Sequence, residues 1–191
     1  MEINIDKLKN SSFVSQLAFA YLICERLYPY YVYFSLNFSF GNVSIIRKAI
    51  DHIHKCLIEG VISEEEIIHD INDVSINTPD TEDYITIHVS SALDTCCTVL
   101  NSLQFLVDRK FDHLVYISRY GTDMVDRYLN SDIEADFISQ ELEQSILNDP
   151  LMKREISFQN EVISFLASHP SLNESDIEYL FEIAPDILLL N

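Results

Sequence analysis

The chain has 191 residues, of which 48% are apolar, and it contains only 3 glycines and 5 prolines. This length suits one domain that buries roughly 70% of its unfolded surface, so no disulfide or metal is needed to hold a core. Domains built only of β-strands use many Gly and Pro in turns, which this composition disfavours. The formal net charge of −19 opposes binding to nucleic acids and to anionic membranes and favours basic proteins.

The charge is unevenly distributed along the chain. Residues 1–55 contain six Lys or Arg and four Asp or Glu, a net +2, so residues 56–191 carry −21. No Lys or Arg occurs from Cys56 to Asp108 or after Arg154. Acidity of this kind can simply maintain solubility, or it can attract a basic partner, and the sequence leaves both interpretations open.

The first half of the chain shows a helical pattern with readable ends. We predict helices from Ser11 or Ser12 to Tyr28, from Pro29 to Phe38 as a new helix or a kinked continuation, from Asn42 to Gly60, and from Ser63 to about Val74. Gly41 and Gly60 can end the helices that precede them, because glycine readily adopts the left-handed backbone conformation found at helix C-termini. Asn42 can cap the start of the helix that follows. Ser63 and Glu66 form the pattern of a capping box.

The second half shows the same pattern. We predict helices over residues 83–108 (the longest), 112–129, 139–147, 150–168 and from Asn173 onward. Gly121 lies inside one of them, which indicates a bend or a close helix contact. The apolar residues Ile187–Leu190 are expected to dock on the body. No linker divides the chain, so the sequence predicts an all-α, single-domain bundle of about eight or nine helices over residues 1–191.

The first apolar segment and the cysteines indicate a cytoplasmic protein. Phe13–Cys24 is the longest apolar run, and it is shorter than the roughly 20 residues of a membrane span. The N-terminus has neither the basic start nor the cleavage site of a signal peptide. The four cysteines are Cys24, Cys56, Cys96 and Cys97. Each lies in an apolar run and none belongs to a Cys-x-x-Cys motif, which is typical of buried free thiols in a reducing compartment.

One stretch resembles a known family. Cys24–Tyr31 reads Cys-Glu-Arg-Leu-Tyr-Pro-Tyr-Tyr, and Phe40-Gly41 follows about a dozen residues later. This pattern is similar to the YjaG-like family of uncharacterised bacterial proteins, and weaker similarity continues through Ala92–Cys96, Pro150, Glu155, Gln159 and Glu161. The resemblance implies an all-helical fold over most of the chain, and it implies no activity, cofactor or substrate.

The candidate binding residues are Glu25, Arg26, Tyr28 and Asp94. The first three lie at the end of an apolar helix, and Asp94 lies in the middle of another among apolar neighbours. They could converge on a ligand, and Glu25 and Asp94 could share a proton. Alternatively, Glu25 and Arg26 form an ion pair that fixes how two helices meet, and Arg26 is a plausible partner for a buried Asp94.

Motifs for other chemistry are weak or missing. Two acid-x-x-His pairs, Asp51 with His54 and Glu66 with His69, share the spacing of di-metal bundle sites, but we interpret them as solvated surface residues. The sequence has no nucleophile elbow, phosphate-binding glycine loop or dinucleotide fingerprint. We therefore predict no catalytic residue, metal or cofactor.

Two functions from different classes follow. The favoured one is a cytosolic protein-interaction module, either an adaptor or an immunity-type inhibitor of a basic nucleic-acid-binding enzyme. Its acidic helical faces, chiefly residues 59–83 and 132–149, would engage the basic partner. The alternative is a small-ligand binder or enzyme that uses the four candidate residues. We expect a monomer or a homodimer, with the apolar tail as a possible self-association segment.

Overall fold

The computed structural model describes residues 2–60, 63–130 and 140–184. Two 3₁₀ helices lie at Ile5–Asn10 and Thr81–Asp83. The α-helices are α1 (Phe13–Phe38), α2 (Val43–Glu59), α3 (Glu64–Ile76), α4 (Ile87–Asp108), α5 (Asp112–Asn130), α6 (Gln140–Asn148), α7 (Pro150–Ser168) and α8 (Glu174–Glu182). These ranges contain helices and no strand, so the predicted all-α bundle is confirmed.

Helix α1 lies at the centre of the bundle and packs against α2, α4, α5 and α7. Its buried side chains include those of Phe19, Ile23 and Leu27, which are fully enclosed. Pro29 lies inside this helix rather than at the start of a new one. Because Pro29 is exposed, the backbone hydrogen bond that it removes lies on the solvent side, where water can replace it.

Most predicted helix ends are confirmed. The Asn42 side chain accepts a hydrogen bond from the Ser44 amide at 2.9 Å. Gly60 ends α2 with φ of 76°, a left-handed conformation that glycine adopts without strain. Ser63 and Glu66 form the predicted capping box. The sequence did not predict Ser39, a serine with φ of 53° that ends α1.

The predicted start of the longest helix is wrong. Helix α4 begins at Ile87 rather than Asp83, and Tyr84 and Thr86 are extended. The Thr86 hydroxyl accepts a hydrogen bond from the His88 amide at 3.3 Å, which fixes the start of α4 there. The Tyr84 ring packs against Phe34, with ring centroids 4.9 Å apart. The longest helix is therefore α1, with 26 residues against 22 for α4.

One hydrophobic core runs through the bundle, from Leu8 near the N-terminus to Leu180 in α8. The predicted docking of the tail at Ile187–Leu190 lies outside the described residues, as does the predicted helix start at Ser139.

Candidate functional site

Arg26 forms the most deeply buried ion pair that the structure describes. Its guanidinium donates to both carboxylate oxygens of Glu155 in α7, with Nη2–Oε2 at 2.7 Å and Nη1–Oε1 at 3.2 Å. The two side chains are only 6% and 3% exposed. The guanidinium carbon also lies 3.9 Å from the centroid of the Phe158 ring. The planar, two-pronged arrangement pairs the two charges and ties α1 to α7.

A hydrogen-bond network extends this pair to α5. The Gln159 amide donates to Glu155 at 2.7 Å and to the Ser118 carbonyl at 3.1 Å, and the Ser118 hydroxyl donates back to Gln159 at 2.7 Å. Gly121 faces this network, because a Cβ there would lie 2.7 Å from Gln159 Nε2 and 3.0 Å from Glu155 Oε1. The predicted close helix contact at Gly121 is therefore present, and its cause is polar packing.

Glu25 faces a different side of α1, toward α2. Arg47 donates to both of its carboxylate oxygens at 2.7 Å and to Asp51 at 2.8 Å. These hydrogen bonds, chiefly those to Glu25, raise the pKa of Arg47 above its ordinary value. The pair is partly open to solvent, with Glu25 19% and Arg47 30% exposed.

Tyr28 lies beside this second pair. The Arg47 guanidinium carbon is 5.0 Å from the centroid of the Tyr28 ring, and the Tyr28 hydroxyl donates to the Val43 carbonyl at 3.5 Å. Burial raises the pKa of Tyr28 above its usual value. Burial, reinforced by the charge of Glu25, raises the pKa of Tyr21 as well. Both hydroxyls are therefore protonated at neutral pH and cannot act as bases there.

Asp94 belongs to a third ion pair. It is buried in α4 and pairs with Arg127 of α5. Burial lowers the pKa of Arg127, although an arginine remains charged at any physiological pH. The predicted Arg26–Asp94 pair is wrong, because each residue has a different partner on a different helix.

The structure therefore does not bring the four candidate residues together. They belong to three ion pairs, which join α1 to α7, α1 to α2, and α4 to α5. Glu25 and Asp94 have separate arginine partners, so the geometry offers no shared proton between them. These contacts fit the interpretation that the charges fix helix positions. Ligand binding by any of the four stays a prediction.

Sequence reasoning missed a buried carboxylate, Asp70 in α3. It is 2% exposed and accepts a hydrogen bond from Lys48 at 3.1 Å and bonds to the His52 ring, both on α2. A signal for it existed, since Asp70 lies between Ile67 and Val74 on the inner stripe of its helix. The cluster ties α2 to α3.

The four residues of the acid-x-x-His pairs have separate roles. Asp51 binds Arg47, and the His54 ring stacks on Tyr21 with centroids 4.8 Å apart. Glu66 caps α3, and His69 pairs with Asp73 at 3.1 Å. Across the described ranges, no three His, Cys, Asp or Glu side chains come together as a metal site would require.

Two of the four cysteines lie in surroundings that keep their thiols unreactive. None forms a disulfide, and Cys24 and Cys96 are buried. Burial raises the pKa of each of these two thiols to about 12, so neither supplies a thiolate at neutral pH.

Two of the clefts lined by described residues have volumes of about 420 and 460 Å³, which is large enough for a small molecule. Neither is lined by any of the four candidate residues. The smaller is lined by residues that include Ile3, Ser118, Asp123, Asp126 and Ile156. The larger is lined by residues that include Val14, His54, Leu57, Ile177 and Phe181.

One stretch of the sequence contains many acidic residues and no Lys or Arg. Residues 56–108 contain 11 Asp or Glu and no Lys or Arg. Three of these acids, Asp70, Asp94 and Asp108, pair with cations from outside the segment. Within the described ranges the other eight have no ion pair with Lys or Arg, and seven are exposed: Glu59, Glu64, Glu65, Glu66, Asp80, Glu82 and Asp83. We call residues 56–108 the acidic segment.

One end of the bundle exposes large apolar side chains. They belong to Leu36 and Phe38 at the end of α1, which are 72% and 37% exposed, and to Ile85 and Ile87 at the start of α4, which are 109% and 42% exposed. We call these four residues the apolar end. Single exposed apolar residues are common, but a group at one place often marks a contact surface.

Comparison with known proteins identifies relatives along nearly the whole chain. Residues 4–184 match the model of a family described as "Protein of unknown function (DUF416)". The chain is 22% identical over 190 residues to the uncharacterized protein YjaG of Salmonella typhimurium (strain LT2) and to that of Escherichia coli (strain K12), covering 98% of this chain and 90% of each relative.

The fold agrees with a solved structure. A DUF416 family protein from Shewanella baltica OS155 superposes with a TM-score of 0.85 at 20% identity, over 95% of this chain and 93% of that one. Within the part of the chain that the structure describes, no helix combines the length and apolar character needed to cross a membrane. The chain belongs to the DUF416 family of proteins of unknown function, as the YjaG-like resemblance implies.

Proposed function

We propose that the protein is a cytoplasmic protein-interaction module that binds a basic protein through the acidic segment. It would act as an adaptor, or as an immunity-type inhibitor that covers the nucleic-acid-binding surface of a basic enzyme. The observation that carries the proposal is the charge pattern, with 11 acids and no Lys or Arg in residues 56–108.

The ion pairs of the bundle accentuate this pattern. Arg26 and Arg47 pair with carboxylates outside the acidic segment, and Arg127 pairs with the buried Asp94 inside it. None of these three charges pairs with an exposed acid of the segment. The exposed acids of α3 and of the connection to α4 therefore create a negative field above the surface. Such a field accelerates encounter with a basic partner, and salt screens it over about 10 Å at 0.1 M.

Affinity capture from native cell extract over a salt series tests the proposal. The wild-type chain should retain a basic protein at low salt and release it as salt rises. A variant with Glu65→Gln, Glu82→Gln and Asp83→Asn should retain less of it. The matched control neutralises three exposed acids elsewhere, as Glu141→Gln, Glu143→Gln and Glu161→Gln, and should retain as much as the wild type.

Two results would contradict the proposal. One is the absence of any retained basic protein from the wild-type sample at low salt. The other is equal loss of the partner from both charge variants, because only total charge would then matter and the acidic segment would have no special role.

The alternative function is small-ligand binding or catalysis at the candidate residues. Its best support is the partly exposed group of Glu25, Arg47 and Tyr28, where a ligand could compete for the arginine. A metabolite screen by thermal shift tests it. A ligand that stabilises the wild type but not Glu25→Gln would favour this function. The absence of any stabilising ligand would remove its support.

A further inference from the structure

The four residues of the apolar end surround one junction in the bundle. The Phe38 ring lies 6.0 Å from that of Tyr84, the residue before Ile85. On the same helix, the Tyr33 ring lies 4.7 Å from that of His88, the residue after Ile87. Leu36 follows Tyr33 by one helical turn. These contacts place all four exposed residues around the junction where the end of α1 meets the start of α4.

Folding does not account for this exposure. Ile85 is 109% exposed and Leu36 is 72% exposed, so neither contributes appreciably to the core. The backbone around Ile85 is nevertheless held on both sides. The Tyr84 ring before it packs among three aromatic rings, and Thr86 after it caps α4. Ile85 is thus presented outward from an anchored segment, which lowers the entropy lost when a partner covers it.

The charges next to the apolar end select the kind of partner. Asp80, Glu82 and Asp83 lie directly before Tyr84 and are exposed. Two copies of this chain meeting through the apolar end in a symmetric dimer would bring the same three acids together on both sides, which is unfavourable. An anionic lipid surface is repelled for the same reason. A segment that carries both apolar and basic side chains complements the apolar end and its acids.

We propose that the apolar end is the docking surface for a basic amphipathic helix of another protein. The apolar face of that helix would cover Leu36, Ile85 and Ile87, and its Lys or Arg residues would face Asp80, Glu82 and Asp83. Helices that bind in this way use apolar side chains for affinity and flanking charges for orientation. This inference rests on the proposed function and specifies where the basic partner binds.

Titration with defined peptides tests the docking surface. The probe is a fluorescent helical peptide of about five turns, built from Leu and Lys in amphipathic order. We compare it with a peptide of the same composition in scrambled order and with a Leu–Glu version. The protein variant replaces Leu36 and Ile85 with Ser. The matched control replaces Leu147 and Leu151, which lie outside the acidic segment and are 47% and 36% exposed, with Ser. All four positions are exposed, so both variants should fold, and circular dichroism checks this.

The amphipathic basic peptide should bind the wild type more tightly than the scrambled peptide, and the Leu–Glu peptide should not bind. The Leu36→Ser, Ile85→Ser variant should bind it about tenfold more weakly or worse, while the control variant binds as the wild type does. Amide resonances of residues 80–88 should shift on binding.

Three results would overturn the inference. The first is equal binding by the apolar variant and the wild type. The second is equal binding of the amphipathic and scrambled peptides, which would reduce the interaction to general charge attraction. The third is self-association of the wild type that the apolar variant abolishes, because the occupant would then be a second copy.

The capture experiment separates this inference from the proposed function. A basic partner that is retained by the wild type and equally by the Leu36→Ser, Ile85→Ser variant would refute the docking surface and leave the proposed function standing. If the wild type captures no basic protein, the proposed function fails. A peptide titration with the expected specificity would still support the surface in that case.

Discussion

The buried pair of Arg26 and Glu155 gives the sharpest prediction about stability. Replacing Glu155 with Gln keeps the volume of the side chain but removes the negative charge. The Glu155 carboxylate accepts hydrogen bonds from Arg26 at both oxygens and from Gln159 at one, at 2.7 to 3.2 Å. An amide at this position turns one acceptor into a donor that faces another donor, and it leaves the Arg26 charge buried without a counter-charge.

The expected cost follows from this burial. The Arg26 and Glu155 side chains are 6% and 3% exposed, so water cannot replace the lost charge interaction. Breaking such a pair by changing one partner costs about 3–5 kcal/mol of unfolding free energy. For a chain of this size the melting temperature falls about 2–4 °C per kcal/mol, so a decrease of roughly 6–20 °C is expected. Urea unfolding followed by circular dichroism measures the free energy.

Two comparison variants make the reasoning refutable. Glu25→Gln breaks a pair that is 19% and 30% exposed and in which Arg47 keeps Asp51, so it should cost only about 1 kcal/mol. The double variant Arg26→Met, Glu155→Leu removes both charges and should be more stable than Glu155→Gln alone. If Glu155→Gln costs less than about 1 kcal/mol, or if the double variant is the least stable of the three, the account of this pair is wrong.

Three further predictions concern other positions. Gly121→Ala should lower the unfolding free energy by about 1–3 kcal/mol in urea despite the better helix propensity of Ala, since its Cβ would lie 2.7 Å from the Gln159 amide nitrogen; a more stable variant would contradict this. Cys24 and Cys96, whose thiol pKa burial raises to about 12, should resist alkylation at pH 8 in the folded protein and react after denaturation, as mass spectrometry can show; rapid labelling of either would refute their burial. The pKa of Asp108 is lowered from 3.8 to about 2 by hydrogen bonds from Lys110, so its stabilising contribution exists above about pH 4 and is lost as pH falls toward 2. The difference in unfolding free energy between wild type and Asp108→Asn should shrink over that range, and a constant difference would count against it.

Local signals in the sequence were sufficient for the helices but not for their contacts. The capping residues Asn42, Gly60 and Ser63 act through neighbours within four positions, so their roles could be predicted. The start of α4 could not, because Tyr84 is held extended by Phe34, fifty positions earlier in the chain. Tertiary packing there overrides the helix signal of Thr81 and the acids after it.

The same distinction applies to the ion pairs. Arg47 and Asp51 are four residues apart on one helix, so their contact is a local feature of the sequence. Arg26 and Glu155 are 129 residues apart in the sequence. Their positions therefore give no reason to pair these two residues rather than any other two opposite charges of the chain. Asp70 is intermediate, since its place on an apolar stripe shows that it is buried but not that Lys48 and His52 neutralise it.

These contacts change where a function should be sought. The charged residues that look most like a binding site from the sequence are those that the bundle uses to fix α1 against α2 and α7. Residues with such structural partners gain their stabilising energy whether or not a ligand is present. The exposed residues of the apolar end and the seven exposed acids of the acidic segment differ in this respect, because none of them forms an ion pair with Lys or Arg between helices. Exposing the Ile85 side chain to water is unfavourable, and a partner that covers it would remove this unfavourable hydration. The acids beside Ile85 favour a basic partner.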